Sequence, residues 1–160
     1  MNFEVKQIGV IRTPFKSNDK IPIQASKSDI TGEAEVFPDY SEGLDSLDGF
    51  SHVILLYWFH KSQSPKLMVT PFLDTKKRGL FSTRAPSRPN PIGFSIVKIM
   101  QIKGNSVKFK GADMLDDTPL LDIKPFVPEF DNRFDAISGW LTDSLHAKND
   151  DYLGDNRFLS

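Results

Sequence analysis

Cysteine is absent from the 160 residues. That excludes disulfides, zinc sites built on thiolates and cysteine nucleophiles. Long apolar runs are missing as well. The longest, 53–59, is far below the roughly 20 residues a membrane helix needs. No apolar stretch follows a basic start at residues 1–5, so a signal peptide is not expected and a soluble, cytoplasmic protein is. The usual nucleotide and hydrolase signatures are also missing. There is no G-x-G-x-x-G, no G-x-x-x-x-G-K-[ST], no H-E-x-x-H and no G-x-S-x-G. The three histidines, His52, His60 and His146, show no metal-ligand spacing, so no metal is expected. No fixed-period repeat or low-complexity tract is present.

Net charge is nearly absent too: 20 Lys and Arg face 21 Asp and Glu, for a total of −1. Its distribution is uneven. Residues 60–110 hold eleven basic residues and a single acid, Asp74, and so carry +10. The remaining nine basic residues and twenty acids carry −11. Such a split points to a polyanionic partner, although strand edges also carry lysine to block pairing with another chain. Eleven Pro, ten Gly and thirteen Phe favour a turn-rich globular chain with an aromatic core over a disordered one. A chain of this length buries about two thirds of its unfolded surface and fits one domain, taken as 1–160.

The pattern is mostly strand. Strands are expected at 3–11, 30–37, 51–60, 78–83, 92–102, 107–110 and 120–126. Thr13-Pro14 ends the first, because proline cannot donate to a ladder. Residues 51–60 are apolar on both faces and read as a central buried strand. Lys103-Gly104-Asn105 reads as a hairpin turn. One helical turn is expected within 40–47, with Ser41 as its cap. Phe134, Ile137, Leu141 and Leu145 recur at helical spacing, which predicts an amphipathic helix over 134–146, weakened by Gly139. Many short antiparallel strands with little helix predict a mainly β fold, barrel-like, with one short C-terminal helix. Alternating βαβ units are not seen.

Two segments carry chemistry. Between Thr83 and Gly93, three prolines in six residues (Pro86, Pro89 and Pro91) stiffen the chain, and Arg84, Arg88 and Asn90 project from it. A stiff backbone bearing guanidinium forks suits carboxylate or phosphate; the plainer alternative is a rigid crossover whose arginines pair with local acids. The second segment, 111–126, holds Asp113, Asp116, Asp117 and Asp122 with Lys124. Asp113, Asp116 or Asp117 can accept from ribose hydroxyls or act as a base; ordinary turn chemistry is the alternative. Asp122 and Lys124 share a strand face.

Four blocks, taken together, resemble the TrmO (TsaA-like, YaeB-like) family. They are Ile8-Gly9-Val10-Ile11-Arg12-Thr13-Pro14-Phe15; Leu47-Asp48-Gly49-Phe50-Ser51-His52 with Phe59-His60; Phe81-Ser82-Thr83-Arg84 through Arg88-Pro89-Asn90-Pro91-Ile92-Gly93; and Asp113 through Asp116-Asp117-Thr118-Pro119 to Asp122-Ile123-Lys124-Pro125. The resemblance covers about residues 4–130. It implies a β-barrel S-adenosylmethionine-dependent methyltransferase that acts as a homodimer. The implied reaction methylates N6 of threonylcarbamoyladenosine beside the tRNA anticodon. The resemblance assigns cofactor contacts to Gln24, His60, Lys61, Arg84, Phe94, Ala112, Asp113, Met114 and Leu115. On chemistry, Arg88, Asn90, Asp122 and Lys124 are candidates for substrate, and Asp113 or Asp116 for the base. Lys76, Lys77 and Arg78 are candidates for phosphate contacts.

Three positions depart from the family pattern. Ile23 replaces an arginine in the first loop, Asp117 replaces a glycine, and Phe126 replaces a tyrosine. The resemblance also stops short of the additional C-terminal domain that longer members carry. Two rival functions stay open: a methyltransferase for another modified nucleotide or a small molecule, and a non-catalytic module that binds S-adenosylmethionine or RNA.

Overall fold

The computed structural model describes residues 3–17 and 21–147. Six strands close into an antiparallel barrel: β1 (Gly9–Arg12), β2 (Thr31–Val36), β3 (His52–Trp58), β6 (Ile92–Lys103), β7 (Ser106–Lys110) and β8 (Thr118–Pro125). A separate two-stranded ribbon joins β4 (Met68–Val69) to β5 (Arg78–Gly79). Two short helices follow, α1 (Pro128–Asp131) and α2 (Leu141–Ala147). The order around the barrel is β1-β2-β7-β6-β3-β8.

Period-2 patterning explains why these strands close. In β2, Gly32, Ala34 and Val36 point inward and Thr31 and Glu33 point out. In β3, Val53, Leu55 and Tyr57 are buried, and so are Gly93, Ser95 and Val97 of β6. Full closure leaves no unpaired edge, and the fully buried Phe109, Ile11, Leu55 and Leu120 fill the interior. Burying each such side chain contributes about 1.5–3 kcal/mol. The β6–β7 hairpin turns at Gly104, whose φ of +58° suits a residue without Cβ. Asn105 ties that turn to the end of β2: its amide donates to Val36 O at 2.6 Å.

The expected elements differ from the observed ones in five places. The first strand is confined to β1, because residues 3–7 have no ladder partner and Phe3 and Val5 stay exposed. β3 is not buried on both faces; His52, Ile54, Leu56 and Trp58 are half-buried on its outer side. It also ends at Trp58, where a tight turn (His60 N to Trp58 O, 2.8 Å) carries His60 off the strand. Only Arg78–Gly79 of 78–83 is strand, and Leu80–Ser82 is a 3₁₀ turn.

At 38–49 the chain forms two 3₁₀ turns, Pro38–Leu44 and Leu47–Gly49. Ser41 does not cap them; its hydroxyl donates to Pro38 O. The amphipathic helix expected over 134–146 forms only in its last turns, as α2 from Leu141. Phe134 and Ile137 are 95% and 91% exposed, and Gly139, at φ +55°, reverses the chain before α2 begins. The apolar period was real, but those two residues have no surface to face. Among the described residues no helix is long and apolar enough to cross a membrane.

Candidate active site

A cavity of about 1010 Å³ opens where the barrel meets the excursion between β3 and β6. Residues from separate regions line it: Gln24 from the first loop; Tyr57, Phe59, His60 and Lys61 from the end of β3; Arg84 and Arg88 from the proline-rich loop; Phe94 from β6; and Asp113, Met114 and Leu115 after β7. Trp140, Leu141 and Leu145 close one side.

Asp113 is the chemical centre of this cavity. Ser95 Oγ donates to its Oδ1 at 2.7 Å, and the Tyr57 hydroxyl bonds Ser95 Oγ at 2.9 Å. Register builds this chain. Tyr57 pairs with Gly93 across β3 and β6, and Ser95 lies two residues on, on the same inward face. Burial pushes the Asp113 carboxyl up to about 7. The Ser95 bond, backbone hydrogen bonds at Ala25 and Asp113 and the charge of Arg84 oppose that rise. Burial, reinforced by the charge of Asp113, raises the Tyr57 phenol, which therefore stays neutral and able to donate.

The arginines of the proline-rich loop are oriented by neutral partners. Arg84 Nη1 donates to Gln24 Oε1 at 2.7 Å, and its guanidinium carbon lies 5.9 Å from the Phe94 ring centroid. Arg88 Nη1 donates to Thr83 O at 3.0 Å and Ala85 O at 3.3 Å. His60 Nε2 is buried without a hydrogen-bond partner. Desolvation, then the charge of Lys61, lowers the His60 pKa, which favours the neutral ring.

The remaining candidates lie elsewhere. Ala112 is fully buried behind the cavity wall, its carbonyl accepting from Ser28 Oγ at 2.6 Å. Asp116 sits outside the cavity lining. It accepts from Thr13 N at 2.9 Å and pairs with Lys16, tying the loop after β1. Desolvation would raise its pKa, but the Lys16 and Thr13 bonds prevail and hold it below the usual carboxylate range. Asp122 and Lys124 pair with each other at 2.7 Å on β8, and Asn90 is exposed; none of the three lines the cavity. Tyr57, Ser95 and Trp140 were missed. Tyr57 and Ser95 could have been found from strand parity beside Gly93, but the place of Trp140 depends on the turn at Gly139. Among the described residues no group of three or more His, Cys, Asp or Glu is placed to hold a metal ion.

Residues 10–132 match the family model described as the tRNA-methyltransferase O N-terminal domain. The chain belongs to the TrmO family. Among relatives, a probable S-adenosyl-L-methionine-binding protein of Pyrococcus abyssi is 49% identical over 156 residues, covering 97% of this chain and 84% of that protein. A Mus musculus tRNA (adenine(37)-N6)-methyltransferase is 34% identical over 139 residues, covering 82% of this chain but 32% of the mouse protein. The crystal structure of TrmO from Pseudomonas aeruginosa superposes with a TM-score of 0.74 at 36% identity, covering 88% of this chain and 63% of that one. The TrmO barrel is thus shared, while a large part of the longer members lies outside the match.

The cavity suits the TrmO cofactor on its own chemistry. Phe59, Phe94, Met114 and Leu115 offer apolar surface for a heterocycle, while Gln24, Arg84 and Asp113 offer polar and charged ends. The unpartnered His60 Nε2 is a buried polar atom that a ligand can satisfy.

Proposed function

We propose that this protein is an S-adenosyl-L-methionine-dependent methyltransferase that acts on N6 of threonylcarbamoyladenosine at position 37 of tRNA. The whole chain is read as one cytoplasmic domain. The observation that carries the reading is the convergence of Asp113, with its carboxyl pushed up to about 7, and Arg84 in one cavity of the TrmO barrel. Family membership and the named relatives support the cofactor and the tRNA class.

Gln24, His60, Lys61, Arg84, Phe94, Met114 and Leu115 would hold the cofactor, whose contribution is a methyl group on a sulfonium. Transfer by in-line displacement mainly needs positioning. The acceptor N6 belongs to a urea and is a poor nucleophile until its proton leaves. Asp113 takes that proton, which calls for a carboxylate with a pKa near the working pH. Ser95, fixed by Tyr57, orients Asp113. Arg88, held by two carbonyls, presents its free guanidinium edge to the threonyl carboxylate or a phosphate. Asp116 has a structural task here, because its carboxylate is committed to Thr13 and Lys16.

The active unit is read as a homodimer. The outer faces of β3 and β6 support this, pairing Ile54 with Ile96 outside the cavity lining, with both side chains only half-buried. Light scattering measures that state directly.

The deciding experiment incubates the protein with methyl-labelled cofactor and three acceptors: tRNA carrying threonylcarbamoyladenosine, tRNA lacking it, and the free nucleoside. Mass spectrometry of digested nucleosides is expected to find label on the modified tRNA alone. Label on the free nucleoside favours a small-molecule enzyme. No transfer to any acceptor overturns the enzymatic reading.

A further inference from the structure

The cavity mouth carries two aromatic rings that the chemistry above leaves unused. Phe81 is 77% exposed although its neighbour Leu80 is fully buried, so the 3₁₀ turn turns a large apolar ring outward at the cavity lining. The Arg88 guanidinium carbon lies 5.8 Å from that ring's centroid. The Trp140 indole N–H donates to Ser82 O, one residue beyond Phe81, at 2.9 Å. The guanidinium carbon of Arg78 lies 5.1 Å from the indole centroid, and Arg78 is itself held by Asp74 at 2.7 Å. Asp74 is fixed in turn by the N–H groups of Thr75 and Lys76. Trp140 is therefore held in place before any ligand arrives, and each ring has a guanidinium beside it.

We propose that Phe81 and Trp140 form a stacking rim for unpaired RNA bases flanking the acceptor, with Arg78 and Arg88 meeting the adjoining phosphates. The proposal rests on the RNA reading above and names the surface that reading lacks. Unpaired bases offer flat faces to aromatic side chains, whereas a duplex hides them. Charge selects RNA over an apolar peptide: Arg78 lies beside Trp140, Arg88 beside Phe81 and Arg84 in the cavity lining, within a stretch, 60–110, whose one acid is Asp74. Trp140 also lies beyond the matched residues 10–132, so the rim joins the family barrel to a segment outside that match.

The test measures anisotropy of a labelled anticodon stem-loop RNA, with a blunt RNA duplex as control. Phe81→Ala and Trp140→Ala are each expected to weaken stem-loop binding about tenfold, as loss of one stacked base does. Phe81→Tyr and Trp140→Phe are expected to stay within about twofold, since both keep a stacking face. Binding of S-adenosylhomocysteine, followed by calorimetry, is expected to be unchanged in both Phe81 variants. With only two tryptophans in the chain, Trp140→Phe should also abolish quenching by the stem-loop and leave the Trp58 signal.

Unchanged stem-loop binding in both alanine variants overturns the rim. An equal loss on the duplex assigns the effect to backbone charge and also overturns it. Weakened S-adenosylhomocysteine binding with RNA binding intact moves the rings to the cofactor wall and overturns it likewise. A protein that binds the stem-loop through these rings but transfers no methyl group sinks the enzymatic reading and keeps the rim.

Discussion

Tyr57 lies flat against Gly93, its cross-strand partner, and any Cβ at position 93 would overlap the phenol ring. The glycine of the Asn-Pro-Ile-Gly block is thus a seat for a tyrosine. The phenol reaches Ser95, and Ser95 reaches Asp113.

Gly93→Ala is expected to lower the unfolding free energy by about 1–3 kcal/mol through overpacking. The same substitution on a Tyr57→Ala background should cost clearly less, because the clash is gone. A double-mutant cycle by denaturant unfolding reads the difference. Equal costs on the two backgrounds would mean that the ring does not set the requirement for glycine.

Asp113→Asn is expected to reduce methyl transfer by about a hundredfold or more, the range of a lost general base. Asp116→Asn should stay within a few-fold, because that carboxylate ties Thr13 rather than facing the cavity. Single-turnover rates of the two variants decide the assignment. Full activity in Asp113→Asn would move the base elsewhere, to a water for example.

The pH dependence follows from the same carboxyl. Its folded value, about 7, lies above the ordinary 3.8. The unfolded chain therefore loses this proton first, and the group's contribution to stability is complete below about pH 4. That contribution falls as pH rises to about 7 and then levels off. Activity should rise over the upper part of this window as the base ionises. Ser95→Ala removes a bond that lowers the value, so its activity inflection should move to higher pH. A pH–rate profile that is identical in Ser95→Ala contradicts the coupling.

Asp117 adopts φ +61°, in the left-handed region, and pairs with Arg12 at the surface. Glycine there should give a more stable protein than alanine by about 1 kcal/mol, because only alanine adds a Cβ to that conformation. Thermal unfolding of Asp117→Gly and Asp117→Ala compares them directly, since both lose the ion pair. Equal midpoints would show that backbone strain is not felt at this turn.

Strand parity made most of the barrel legible. Gly32, Ala34 and Val36 alternate against charged neighbours, and Gly104-Asn105 announced its hairpin. Where one-dimensional periodicity failed, the cause was a missing partner. Phe134 and Ile137 have helical spacing but no surface to pack against, and Arg78–Thr83 curls into a 3₁₀ turn after two strand residues. The candidate site was half visible. The family resemblance marked Gln24, His60, Arg84, Phe94 and Asp113, all of which line one cavity, yet Asp116 looked equivalent to Asp113 from the sequence.

The sequence by itself determined the class of fold and the list of chemical groups, because side-chain period and turn chemistry are local properties. Tertiary structure decided which groups meet. Barrel closure set a half-buried Asp113 against Ser95 and Tyr57 at the cavity and left Asp116 on a loop tie. The turn at Gly139 returned Trp140 to the cavity mouth from far along the chain. Desolvation and stacking depend on distances in space, and no spacing along the chain encodes them.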